Sequence, residues 1–235
     1  MKEYLELHKE EFKRWLTDNE QGRIDIKILP YLQDIDNGFF VEAGALDGLF
    51  MSNTKILEDL GWKGLLIEPS ARAVKECRKN RNVPVEECAL VSKNYTEDTV
   101  SGDFFFAGEN GGLGAWSSIN RDGYKVFHDG KEVKIQVKAL TLGKVLNKYN
   151  ITKVDLLSLD VEGYELEVLD GLDFDNVDIR YILMEVNLDS YSLDEANLFL
   201  EKKGYKNIAC LSNFSTESNG GWNGLHQDYL YQKNG

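Results

Sequence analysis

Cysteine is scarce in this 235-residue chain: Cys77, Cys88 and Cys210 are odd in number and widely spaced. Without a Cys-x-x-Cys pair there is no zinc ribbon or dithiol redox site to read, and buried free thiols are the expectation. Long apolar runs are missing as well. No stretch approaches the roughly 20 apolar residues of a membrane-spanning helix. The opening MKEYLELHKEEFKRW is charged throughout, without the apolar core of a secretory signal. These absences predict a cytoplasmic protein with no membrane span. Basic residues are in deficit: 27 Lys and Arg against 40 Asp and Glu leave a net charge of −13. Such a balance argues against nucleic acid as the main partner, because phosphate backbones call for a basic footprint. The three histidines, His8, His128 and His226, show no metal-ligand spacing.

What is present is an alternation of short apolar runs with amphipathic stretches. Residues 2–18 set Leu5, Phe12, Trp15 and Leu16 among charges at helical spacing, predicting a leading helix within an N-terminal extension, residues 1–30. GFFVEAG then reads as a buried strand running into a tight turn. SNTKILEDLGW follows as a helix capped by Ser52 or Asn53 and ended at Gly61. GLLIEP is a second strand, ARAVKECRKN a second helix and VPVEECALV a third strand. This order is the first half of a parallel, doubly wound α/β sheet. Polar, Gly-rich residues 92–138 interrupt it, with strands expected near Asp103–Phe106 and Val133–Lys138. The pattern resumes with TLGKVLNKYN as helix, KVDLLSLD as strand, YELEVLDGL as helix, IRYILMEVN as strand and SLDEANLFLEKKGY as helix. KNIACLS and HQDYLYQ are expected to close the sheet as an antiparallel pair, making residues 1–235 one domain.

Ligands of an open parallel sheet bind beyond the carboxyl ends of its strands, at the switch in strand order. Glu42, Glu68, Asp160 and Glu185 each end an apolar run, so four carboxylates converge on one rim. The first turn carries only Gly44 and Gly48, where a dinucleotide fingerprint wants three glycines to admit a pyrophosphate. Glu42 and Asp47 would repel a pyrophosphate and suit a cationic ligand, an ammonium or a sulfonium. Glu68, ending the second strand, is placed to accept hydrogen bonds from ribose hydroxyls, or else to cap the next helix.

FVEAGALDGLFMSNT, LEDLGWKGLLIEPS, ECAL, TLGKVLNKYNITKVDLLSLDVEGYELEVLDGLDF and YILMEVN together resemble the FkbM family of methyltransferases, over about Phe39 to Asn187. The block LLSLDVEGYELEVLDG is the most specific part. The resemblance implies a Rossmann-like class I methyltransferase fold with a mostly parallel seven-stranded sheet, helices on both faces and an antiparallel final strand. It implies S-adenosylmethionine as donor and a hydroxyl of a sugar or glycan as acceptor. It places Glu42, Gly44, Ala45 and Asp47 beside the methionine part of the cofactor, Glu68 on the ribose and Ala89 beside the adenine. Ser52 and Asn53 match the family's Ser-Asn-Thr stretch. Leu46 departs from the pattern, since many members carry a polar residue there.

A sugar hydroxyl is a poor nucleophile until its proton leaves. Asp160, at the end of the fourth core strand, ranks first as base, ahead of Glu162, Glu185 and His226. Glu162 could instead cap the following helix. Asp160 and Glu185 also offer a second arrangement, a divalent metal (Mg or Mn) polarising the acceptor. Residues 108–118, with Trp116, are expected to form an acceptor lid or a loop pinned down by its indole. Two other readings stand beside methyl transfer: a non-catalytic Rossmann-like module binding a glycan or partner, and a nicotinamide-dependent oxidoreductase.

Overall fold

The computed structural model describes residues 6, 23–107, 112–113, 118–119, 131–212 and 226–235. Apart from Glu6, which is helical and exposed, the expected leading helix at 2–18 lies outside the described residues, as do Trp116, His8 and His128. The later part of the extension forms two single-turn helices, α1 (Ile24–Lys27) and α2 (Leu29–Leu32), whose Ile24, Ile26, Leu29 and Leu32 are buried.

The main sheet is built from β1 (Phe39–Ala43), β2 (Lys63–Glu68) and β3 (Val85–Glu87), then, after an excursion, β9 (Lys153–Leu159), β10 (Asp178–Asn187), β11 (Tyr205–Cys210) and β12 (His226–Lys233). Its spatial order is β11-β12-β10-β9-β1-β2-β3. The pairs β3–β2, β2–β1, β1–β9 and β9–β10 are parallel. β12 inserts antiparallel between β10 and β11. This is the Rossmann-like, mostly parallel α/β sheet that the sequence predicts, with its antiparallel last strand. The chain starts in the middle at β1, winds outward to β3, and returns to the other side at β9. The switch in order therefore lies between β1 and β9, and a crevice opens beyond their carboxyl ends.

Helices cover both faces because the core strands are apolar on both. Phe40, Leu66, Leu156 and Leu183 pack on one side with α1, α2, α3 (Lys55–Asp59) and α4 (Ala71–Asn80). Val41, Leu65, Leu157 and Ile182 pack on the other with α5 (Leu142–Lys148), α6 (Glu165–Asp170) and α7 (Leu193–Glu201). Successive residues of a strand point to opposite faces, so an unbroken apolar run such as LLSL serves two cores at once.

The stretch VPVEECALV, expected as one strand, is two. β3 pairs with β2, whereas β4 (Ala89–Leu90) leaves the main sheet after Cys88 and pairs in parallel with β8 (Lys131–Leu140). β8 pairs antiparallel with β5 (Thr99–Ala107), and the short β6 (Gly112–Leu113) and β7 (Ser118–Ile119) flank β5. The insertion thus makes a second sheet of its own around the two strands predicted within it.

Candidate functional site

The turn after β1 is held by contacts that glycine alone permits. Gly44 has φ +86°, and a Cβ there would lie 1.8 Å from the Asp160 carbonyl oxygen. The backbones of the β1 and β9 ends meet at this point, since the Asp160 N–H also donates to the Ala43 carbonyl at 3.1 Å. Gly44 and Ala45 donate to the Ile67 carbonyl. Leu46, the departure from the family pattern, adopts φ +47°, and its N–H donates to Glu68 Oε2 at 2.9 Å. The other oxygen, Oε1, accepts from the Ser70 N–H at 2.8 Å. Ser70 caps the next helix, its Oγ accepting from the Ala73 N–H, and Glu68 braces that cap residue and the first turn together. Each of its oxygens keeps a lone pair for a further donor. Burial pushes its carboxyl up to about 7, against two backbone hydrogen bonds that pull it down.

Glu42 faces a different neighbourhood. Its carboxylate accepts from Ser52 Oγ at 2.9 Å, the Asn53 N–H at 2.8 Å and Thr54 Oγ1 at 2.7 Å. The predicted helix is shorter than its sequence suggests, beginning at Lys55. Residues 52–54 are drawn into a loop around Glu42, although Ser52 Oγ still accepts from the Lys55 N–H. Asn53 Nδ2 reaches on to Ser158 in β9 at 3.2 Å. Asp47 spends its carboxylate on its own loop, accepting from the N–H groups of Leu49 and Phe50. Ala89 is buried at the start of β4.

Arg81 carries no signal in the sequence beyond a basic run at a helix end, yet it ties this loop together. Its side chain is fully buried. The guanidinium donates to Glu58, the Gly48 carbonyl, Ser52 Oγ and Thr54 Oγ1, and reaches Glu42 Oε2 at 3.4 Å. Five donors in a planar fork suit such a multi-partner clamp. The clamped loop nevertheless exposes Leu49, Phe50 and Met51. With Leu188, just after β10, they make four of the five exposed large apolar side chains among the described residues, all at the carboxyl rim.

Across the switch point lie the acids. Burial and the neighbouring Glu42 raise Asp160 to about 6. Burial, then Asp160 and Glu165, push Glu162 well above the ordinary carboxylate range. Glu185 is raised in the same way, by burial first and then by Asp160, Glu162, Asp228 and Glu165. Its Oε1 sits 3.1 Å from His226 Nδ1, while Oε2 is buried without a hydrogen-bond partner. Asp228, cross-strand from Glu185, is lifted to about 7, again chiefly by burial. Asp160, Glu162 and Glu185 thus come together as predicted. Among the described residues no group of three or more His, Cys, Asp or Glu side chains is arranged to hold a metal; the pair expected to hold one, Asp160 and Glu185, numbers two. Glu162 does not cap α6. It takes φ +57°, and Glu165, unmarked in the sequence reading, accepts from Val161 and Gly163 instead.

A cavity of about 520 Å³ opens at the opposite, amino-terminal edge of the sheet, between Phe39, Trp62, Tyr149 and Ile151. It shares none of the candidate residues. Among the described residues, no helix is long and apolar enough to cross a membrane.

Comparison with known proteins converges on one description. The model of the methyltransferase FkbM domain matches residues 42–206. Methyltransferase 1 of Beauveria bassiana (strain ARSEF 2860) is 37% identical over 84 residues, 34% of this chain and 32% of the relative. Methyltransferase sdnD of Sordaria araneosa is 34% identical over 85 residues, 32% of this chain and 33% of the relative. The matched segment spans about a third of each curated relative's length. The crystal structure of a methyltransferase FkbM from Methylobacillus flagellatus KT superposes with a TM-score of 0.47 at 13% identity, covering 83% of this chain and 43% of that one.

Proposed function

This chain belongs to the methyltransferase FkbM domain family, and from that premise we propose that it transfers a methyl group from S-adenosylmethionine to a hydroxyl oxygen of a sugar or glycan. The observation that carries the reading is the pairing of Glu68 with the Gly44 turn. A buried carboxylate, destabilised by desolvation and with lone pairs to spare, lies beside a backbone turn at the switch point. Ribose hydroxyls are the donors it lacks. Glu42 and Asp47 add negative charge near the turn, which suits an ammonium or sulfonium and disfavours a pyrophosphate. Gly44 and Ala45 supply the close backbone approach, Ser52 and Asn53 hold Glu42 in place, and Ala89 borders the adenine.

When bound, S-adenosylmethionine supplies an electrophilic methyl carbon on a sulfonium. The residues of this chain have two tasks, to align the acceptor oxygen and to take its proton. Asp160 is the best base of the three candidates. Burial and Glu42 raise Asp160 to about 6, while burial and the acids around them push Glu162 and Glu185 well above the ordinary carboxylate range. Phe50, 56% exposed on the clamped loop, offers an aromatic face to sugar C–H surfaces.

Calorimetric titration with S-adenosylhomocysteine should give a measurable heat, and Glu68→Ala should abolish it. A wild-type protein that binds no S-adenosylhomocysteine sinks the reading. With labelled cofactor, a panel of monosaccharides and short glycans should then identify the acceptor, and parallel runs with EDTA and with added magnesium or manganese read whether Asp160 and Glu185 hold a metal.

A further inference from the structure

We propose that Glu165 is the positioning residue that fixes the spacing of Asp160 and Glu185, and that it does so as a neutral acid, its proton locked between Oε2 and Tyr191. The inference rests on the proposed methyl transfer for its meaning in catalysis, but not for its chemistry.

Glu165 is wholly buried in the first turn of α6. Its Oε1 accepts from the Val161 N–H at 3.0 Å and the Gly163 N–H at 3.1 Å, filling both lone pairs of that oxygen. These two amides flank the turn that carries Asp160 and Glu162. The other oxygen, Oε2, stands 2.8 Å from the Tyr191 hydroxyl, which itself stands 2.8 Å from the Glu185 backbone carbonyl. One side chain therefore spans from the end of β9 to the end of β10. The junction is tight elsewhere too: a Cβ on Gly163 would lie 2.1 Å from Ser190 Oγ.

Counting protons decides the state of Glu165. The tyrosine hydroxyl has one hydrogen and two oxygen neighbours at 2.8 Å, and the Glu185 carbonyl can only accept. If Tyr191 donated to a Glu165 carboxylate, its oxygen would face the carbonyl oxygen with no hydrogen between them. The contact is satisfied only when Tyr191 donates to the carbonyl and Glu165 Oε2–H donates to Tyr191. Glu165 has no cationic partner among its hydrogen bonds to Val161, Gly163 and Tyr191. Burial pushes the Glu165 carboxyl up to about 7, consistent with the geometry.

Glutamine reproduces this pattern, since its carbonyl accepts the two amides and its NH₂ donates to Tyr191. Aspartate is one methylene too short to reach both ends. On the acceptor found with labelled cofactor, Glu165→Gln should keep turnover within about threefold of wild type, while Glu165→Asp and Tyr191→Phe lose at least about tenfold in kcat with KM for the cofactor nearly unchanged. Full turnover in Glu165→Asp and Tyr191→Phe would overturn the positioning role. A Glu165→Gln variant as damaged as Glu165→Asp would overturn the neutral acid. Should Glu165→Asp fail to fold, Tyr191→Phe and Glu165→Gln carry the comparison. A readout free of any acceptor is isotope-edited infrared spectroscopy at about pH 6, below the raised carboxyl. The wild-type spectrum should contain a protonated-carboxyl band that Glu165→Gln lacks, and its absence from wild type sinks the proton assignment. Because S-adenosylhomocysteine titration tests the methyltransferase reading alone, the two failures are separable.

Discussion

At the scale of single residues, the site depends on one buried cation and one glycine. Arg81 is enclosed with Glu42 and Glu58, whose side chains are 5% and 7% exposed. Removing one partner of such a group strands buried charge, which costs about 3–5 kcal/mol. Arg81→Met should therefore lower the unfolding free energy by about that amount in urea titration. Arg81→Lys should recover little, because an ammonium cannot reach Glu58, the Gly48 carbonyl and Thr54 Oγ1 together. Gly44→Ala is a separate test. The left-handed φ alone costs about 1–2 kcal/mol, and the clash with the Asp160 carbonyl must push the β1 and β9 ends apart. Weakened stability accompanied by lost S-adenosylhomocysteine binding is expected, while a Gly44→Ala protein that binds normally would show that the turn does not form the cradle. Neither dependence was legible from composition. Gly44 stood out because a glycine at a strand end calls for a reason, whereas Arg81 lay in RKNRN, a run that reads as solvated surface.

At the scale of elements, legibility followed the length of the apolar run. LLSL, IRYILMEVN and GFFVEAG became β9, β10 and β1 because a run buried on both faces has no other stable home. SLDEANLFLE became α7, and its capping box is complete, with Ser192 and Glu195 each bonding the other's backbone. Ser192→Ala should cost about 1 kcal/mol in thermal or chemical unfolding and leave S-adenosylhomocysteine affinity unchanged, since α7 carries none of the residues assigned to the cofactor. A change in affinity would mean that α7 communicates with the site. VPVEECALV was misread as one strand because its local pattern continues across Cys88. Only the long-range partners Ala139 and Leu140 of β8, fifty residues on, pull Ala89 and Leu90 into the second sheet. The short helix after β1 was overextended for a similar reason. Ser52 and Asn53 have good capping chemistry, but Glu42 competes for it from the strand end. Spacing along the chain announces the elements, and contacts between distant segments set where they stop.

For the molecule as a whole, the carboxylates divide into two groups that oppose each other with pH. Glu58 and Glu86 have lowered pKa values. Burial works against both, and their hydrogen bonds to Arg81 and Lys148 overcome it. Their contribution to stability is present above the unfolded value near 4.5 and lost as pH falls. Glu68, Glu165 and Asp228 are raised to about 7. A raised carboxyl holds a proton that the unfolded chain releases, so its contribution is full below the unfolded value and lost as pH rises through about 7. The unliganded protein should accordingly melt highest near about pH 5 and progressively lower towards about pH 8. Cofactor binding should act on this slope through Glu68. Ribose hydroxyls donate to the charged carboxylate and favour it over the acid, so binding releases a proton and tightens as pH climbs to about 7. The gain in melting temperature on adding S-adenosylhomocysteine should then be larger at about pH 8 than at about pH 6. Glu68→Gln, which cannot ionise, should bind more weakly and show no such trend. An affinity that is flat with pH in the wild type, or equally steep in Glu68→Gln, would remove Glu68 from the ribose and leave it only the bracing of Leu46 and Ser70.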